Sequence, residues 1–284
     1  MSMMDPLSRT LFYIFIVASM LGIGLQVSWG DIRSALRKRN IWFYMLLANF
    51  VVIPILGLLW VRVFSMERDV AIAIVMLACA PGGISALQFT ARHKDELALA
   101  GGSVFTLTFL SIFISPLLMA LFLPQDLPLT VSYGRAASLV VIFLLIPLVI
   151  GILVHQNAAK LASILAKPMS FLGFIAFIAV IILTMAVKKE AKTHITGETT
   201  IIFLLFIICT MIISWFMGGP GKGNRGVLAS ASSMRNFALC LAIATRSFPE
   251  MDVVFPLIAF AAYMVPANLI FTILYKITDK RKKD

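Results

Sequence analysis

Two features of the chain carry residue types that could do chemistry inside an otherwise apolar sequence. The first is Arg235, in the middle of the apolar stretch 226–246. A guanidinium is a permanently charged planar fork of five donors, suited to a carboxylate or to a cluster of carbonyl oxygens. Placing it at the centre of a bilayer costs on the order of 2.5–3.5 kcal/mol on insertion scales, so it must meet a partner or water. The second is Pro81-Gly82-Gly83, near the middle of the apolar stretch 69–91. Proline removes a backbone donor and glycine weakens a helix, so the stretch breaks there. Free amides and carbonyls at such a break can hold ions or polar groups, and bare backbone at membrane depth survives only when packed in protein or beside water. The plain alternative is a kinked helix that binds nothing.

Other chemistries are excluded by what the spans lack. None of the 13 acidic residues lies deep in an apolar stretch, and His93, His155 and His194 fall in loops or at interfaces. A carrier of sodium or protons ordinarily needs a buried carboxylate. The sequence has no zinc spacing, no paired intramembrane carboxylates and no Ser-His-Asp set, so neither an enzyme, a resident metal nor a cofactor is expected. Cys79, Cys209 and Cys240 all lie inside apolar stretches, which argues for small packing residues rather than a disulfide framework.

The elements that position these residues are membrane helices. Of 284 residues, 61% are hydrophobic and 13% charged, the balance of an all-α polytopic membrane protein rather than a soluble domain. Nine transmembrane helices are expected, at about 9–27, 41–62, 69–91, 96–122, 133–154, 168–187, 199–217, 226–246 and 253–275, forming one domain over 1–284. The net charge of +11 comes from basic residues between the spans, so nucleic acid is not an expected partner and the lipid bilayer is. The basic clusters around Arg33–Arg39, Arg92–Lys94, Lys160–Lys167, Lys222–Arg225 and Lys276–Lys283 fall on one side. This places the N-terminus outside and the C-terminus in the cytoplasm, in the cell membrane. Ser28–Asn40 reads as a short basic surface helix. The run Gly218–Asn224 is Gly-rich but lacks the spacing of a phosphate-binding loop.

Several stretches carry a family resemblance: GIGLQVSWGDI after the first span, LLANFVVIP in the second, ACAPGGISALQFTAR in the third and SMRNFALCLAIA in the eighth. In order and spacing they resemble the bile acid:sodium symporter family, in its nine-span form. The resemblance implies inverted repeats, with core and panel domains. Two broken helices, about 69–91 and 226–246, would cross in the core beside the substrate, with alternating access between the domains. Ser232 and Ser233, before Met234-Arg235-Asn236, mark the second break. The family's sodium ligands do not carry over. One site falls on Ala86, Leu87, Ala100, Val104 and Ala231. The other falls on Asn49, the Ser232–Met234 region and Arg235, where a guanidinium repels a cation.

Two roles are open for Arg235. It stands in for the missing cation, bonded to Asn49 and exposed carbonyls, or it faces a cavity and pairs with a carboxylate substrate. Candidate substrate-binding residues are Pro81, Gly82, Gly83, Ser85, Gln88, Thr108, Ser232, Ser233, Arg235, Asn236 and Asn268, with Arg235 and Asn49 as the cation-site replacement. The expected function is secondary transport of a small or amphipathic organic anion without sodium coupling. The rival from another class is a transporter-like receptor that binds a ligand and moves nothing.

Overall fold

The computed structural model describes residues 6–30, 33, 39–82, 94–123, 138, 141–187, 196–247 and 252–280, and among them all regular structure is helical. The elements are α1 (Pro6–Gly24), α2 (Arg39–Leu47), α3 (Ile53–Val63), α4 (Arg68–Cys79), α5 (Lys94–Phe122) and α6 (Ile146–Asn157). They continue with α7 (Ala159–Val187), α8 (Gly197–Met217), α9 (Lys222–Ser233), α10 (Phe237–Ser247) and α11 (Val254–Lys280). Five continuous helical stretches among the described residues are long and apolar enough to cross a bilayer: Pro6–Gly24, Asn40–Val63, Ala159–Leu183, Gly197–Met217 and Val254–Tyr275. The pair Leu99–Ser111 and Phe113–Phe122, bent by 58° one turn ahead of Pro116, makes a sixth if counted as one span. Interrupted segments such as α4, α9 and α10 are too short to pass singly.

Prolines account for several local departures. A turn of π-helix, Ala48–Val52, joins α2 to α3, and another, Val141–Leu145, leads into α6. Each directly precedes an Ile-Pro pair, Ile53-Pro54 and Ile146-Pro147. Proline offers no N–H to the carbonyl one turn back, so the ladder shifts to the wider spacing, as where Ile53 N–H reaches Ala48 O. The expected start of the sixth span at 168 is corrected. Helix α7 begins at Ala159 and carries Pro168 inside it, so Lys160 and Lys167 are helical rather than loop residues. The expected surface helix at Ser28–Asn40 falls mostly outside the described residues.

Helix α1 packs against α6 and α7, while α4, α5, α8, α9, α10 and α11 gather about the two interruptions. The first packing depends on small residues. Gly22 and Gly173 of facing helices lie against Ser170 and Ser19, and Gly24 lies against Gly151 and the Leu148 carbonyl. Close backbone approach of this kind is the usual source of helix association where lipid is the solvent.

Candidate functional site

The first interruption begins where α4 ends at Cys79. Ala80 leaves helical geometry, and Gly82 has φ of 92°. A side chain at Gly82 would meet Leu107 Cβ at 3.1 Å and Thr108 Oγ1 at 3.2 Å, so both conformation and space demand glycine. Gly83, Ser85 and Gln88, expected near the substrate, lie outside the described residues. Ala86 and Leu87 do as well.

The second interruption is sharper than its sequence suggests. Helix α9 ends at Ser233, Met234 is extended, and α10 starts at Phe237. No proline or glycine lies between Ser230 and Phe237. Tertiary partners take the backbone instead. Asn236 N–H donates to Ala80 O at 2.9 Å, and Arg235 N–H points at Met264 Sδ at 3.2 Å. The two breaks are therefore hydrogen-bonded to each other. Asn236 also caps α10: its Oδ1 accepts from Leu239 N–H at 3.1 Å.

Arg235 sits between them and is 2% exposed. Its Nε donates to Leu77 O at 2.8 Å and its NH2 group to Ala78 O at 2.6 Å. Its NH1 group donates to Asn49 Oδ1 at 2.8 Å and Ser232 O at 3.0 Å. Leu77 and Ala78 are in the last turn of α4, and Ser232 is in the last turn of α9. Carbonyls of a helix's last turn lack intrahelical donors and carry the negative end of the helix dipole. Two such ends converge on one guanidinium, so the cation is satisfied by backbone oxygens, without a carboxylate among these partners.

Asn49 is the junction between the breaks and the π turn of its own helix. Besides accepting from Arg235, its Nδ2 donates to Ser232 Oγ at 2.9 Å and to Met45 O at 3.0 Å. Both of the carboxamide's functional ends are thus used within a 0% exposed site. Ser233 and Asn268 were expected to approach a substrate. The structure seats them against one another: Asn268 Oδ1 accepts from Ser230 Oγ at 2.9 Å and Ser233 Oγ at 3.2 Å, and its Nδ2 donates to Met264 O at 3.1 Å. Asn268 thereby ties α11 to α9. Ser103 and Ser111 bond back to their own helix, at Leu99 O and Thr108 O, as small polar residues in membrane helices usually do.

Two polar atoms beside the breaks are buried with no partner among the described residues, Asn236 Nδ2 and Thr108 Oγ1. Of the positions where the resemblance led sodium ligands to be expected, Ala100, Val104 and Ala231 are buried and offer only alkyl side chains. The expected residues thus divide. Asn49, Ser232, Arg235 and Asn236 meet at the breaks, Pro81, Gly82 and Thr108 line the first one, and Ser233 and Asn268 form a separate clasp. Sequence reasoning missed Leu77, Ala78 and Met264 because they act through backbone oxygens or a thioether, which side-chain type does not announce. It also missed Phe237, the first residue of α10, whose ring packs on Phe12, Phe15 and Phe177.

Comparison with known proteins gives this arrangement a context. Residues 13–198 match the model of the Sodium Bile acid symporter family. A hepatic sodium/bile acid cotransporter of Rattus norvegicus is 24% identical over 98% of the chain and 80% of its own length. The human hepatic sodium/bile acid cotransporter is 26% identical over 89% of the chain and 74% of its own. YocS of Bacillus subtilis, described as an uncharacterized sodium-dependent transporter, is 23% identical over 85% and 75%.

Proposed function

The chain belongs to the sodium bile acid symporter family, a family of multi-pass membrane transporters, and from that premise we propose that it carries a small or amphipathic organic anion across the cell membrane without sodium coupling. One observation carries the reading: the Arg235 guanidinium is held by Leu77 O, Ala78 O, Ser232 O and Asn49 Oδ1, in the place where the resemblance puts a captured cation. A monovalent cation needs several oxygens at once, and these four are already engaged by a charge that cannot leave. At the other site, the described positions Ala100, Val104 and Ala231 are buried and offer sodium no side-chain oxygen.

This geometry favours the first role for Arg235, a built-in cation that holds the breaks together, over a clamp on the substrate. Its four acceptors belong to the protein. The anion's polar head then falls to the unpaired Asn236 Nδ2 and Thr108 Oγ1, next to the first break. An amide donor and a hydroxyl suit a carboxylate, and the buried guanidinium nearby adds a field of the right sign. In this reading the helices form nine spans, N-terminus outside, and α1, α6 and α7 move as a panel against the rest.

The test is a thermal melt of the purified protein in matched sodium and potassium chloride. The expected result is the same midpoint in both. A sodium-specific rise at millimolar concentration would overturn the proposal. Transport itself is tested in proteoliposomes with cholate, benzoate and pyruvate as probes. Uptake that is equal in sodium and potassium supports the reading, and binding without uptake of any probe replaces it with a receptor.

A further inference from the structure

The four rings around the start of α10 form one of the contacts between the α1, α6 and α7 packing and the helices about the breaks; α7 also touches α11, and Trp29 after α1 meets Phe105 of α5. Phe12 and Phe15 belong to α1, Phe177 to α7 and Phe237 to α10. All are between 4% and 6% exposed. Phe237 lies 5.4 Å from Phe15, 5.4 Å from Phe177 and 6.3 Å from Phe12 between ring centroids, and Phe15 lies 5.0 Å from Phe177. These are favourable separations for aromatic pairs. On one side of this cluster, α1, α6 and α7 are drawn together by small residues at close approach. On the other, α10 is fastened to α4 through the bond from Asn236 to Ala80 O. The rings are thus the aromatic part of the seam between these two groups of helices, at the point where α10 begins.

The residue directly before Phe237 is Asn236, whose Nδ2 is buried without a partner among the described residues. A donor hidden in that way is unfavourable, and it would gain a partner if the seam parted. We propose that Phe237, with Phe12, Phe15 and Phe177, is an aromatic latch: it seals the Asn236 amide from water while no ligand is bound, and it parts to admit one. This rests on the transporter reading, shares Asn236 with it and adds the four rings. The latch makes Phe237 a residue that sets how readily the route opens, next in the chain to Asn236.

Cys240 reports on the latch. It is buried, and it lies one turn beyond Asn236, its N–H bonded to Asn236 O at 3.2 Å, so the two share a helix face. The experiment labels the full-length protein in liposomes with the membrane-impermeant, water-requiring thiol reagent MTSET and reads each cysteine by mass spectrometry. In the native protein Cys240 reacts slowly. Phe237→Ala should raise its rate on the order of tenfold or more, as expected for a local opening made easier. Phe177→Ala should do the same from the opposite side of the seam, and Phe237→Tyr should retain protection. Phe203→Ala removes an equally buried ring from a different cluster, with Phe260 at 5.2 Å, and should lower the melting midpoint while leaving Cys240 protected. Unchanged Cys240 labelling in both Phe237→Ala and Phe177→Ala overturns the latch, as does equal labelling in Phe203→Ala. No substrate is needed, so this outcome is separate from that of the sodium test.

Discussion

Arg235 could be recognised from sequence as a lone charge in an apolar span and Asn49 as one partner, but which carbonyls complete the set could not, because main-chain oxygens carry no residue-type signal. The distinction matters for substitution. Arg235→Gln should leave buried carbonyls unpaired and destabilise the protein by about 3 kcal/mol or more, with or without added ligand. Arg235→Lys restores the charge but not the fork, so it should recover only part of the loss in a detergent melt. Asn49 both accepts from Arg235 and donates to Ser232 and Met45. Asn49→Ala should therefore cost about 1–3 kcal/mol, the range for orphaning buried polar groups. If Arg235→Gln melted at the native temperature, the cage would have no structural role.

At the level of helices, sequence and structure agree where the cause is local and part where it is not. The first break was legible because its causes are local: Pro81 lacks a backbone donor, and Gly82 takes a positive φ. The second was only hinted at by Ser232 and Ser233. What bends the chain there is Ala80 O and Met264 Sδ, which are distant in sequence and invisible to a local reading. The π turns before Pro54 and Pro147 belong to the first kind, and the early start of α7 ahead of Pro168 shows that proline does not always mark a boundary. Two glycines at positive φ separate conformation from space. Gly219, at 73°, has nothing within 4 Å of an added Cβ, whereas Gly82 has Leu107 and Thr108. Gly219→Ala should lose about 1 kcal/mol, and Gly82→Ala should lose clearly more, because strain and overlap act together. Equal midpoints for the two variants would mean that α5 yields at Thr108.

For the whole molecule, membership of a transporter family was legible from four short stretches, while the partition of its packing was not. Nothing in the sequence announced that Phe237 would face α1 and α7, since every expected span carries at least one of the 22 phenylalanines. Hydrogen exchange offers a measurement at this scale. An interruption open to water would exchange within seconds, but here the Asn236 N–H is bonded and its residue is 1% exposed. Peptides covering Met234–Leu239 in lipid nanodiscs should exchange as slowly as those of α8. Fast exchange there would mean that the bond to Ala80 is not kept.

That single bond from Asn236 to Ala80 has a mechanical meaning. Two half-finished helices stitched end to side behave as one knot, and a knot cannot serve as a gap. In the proposed transport, solute does not pass between α4 and α10 while the stitch holds. Whatever crosses must skirt the knot, along the flank where the neighbouring bundle leans on it.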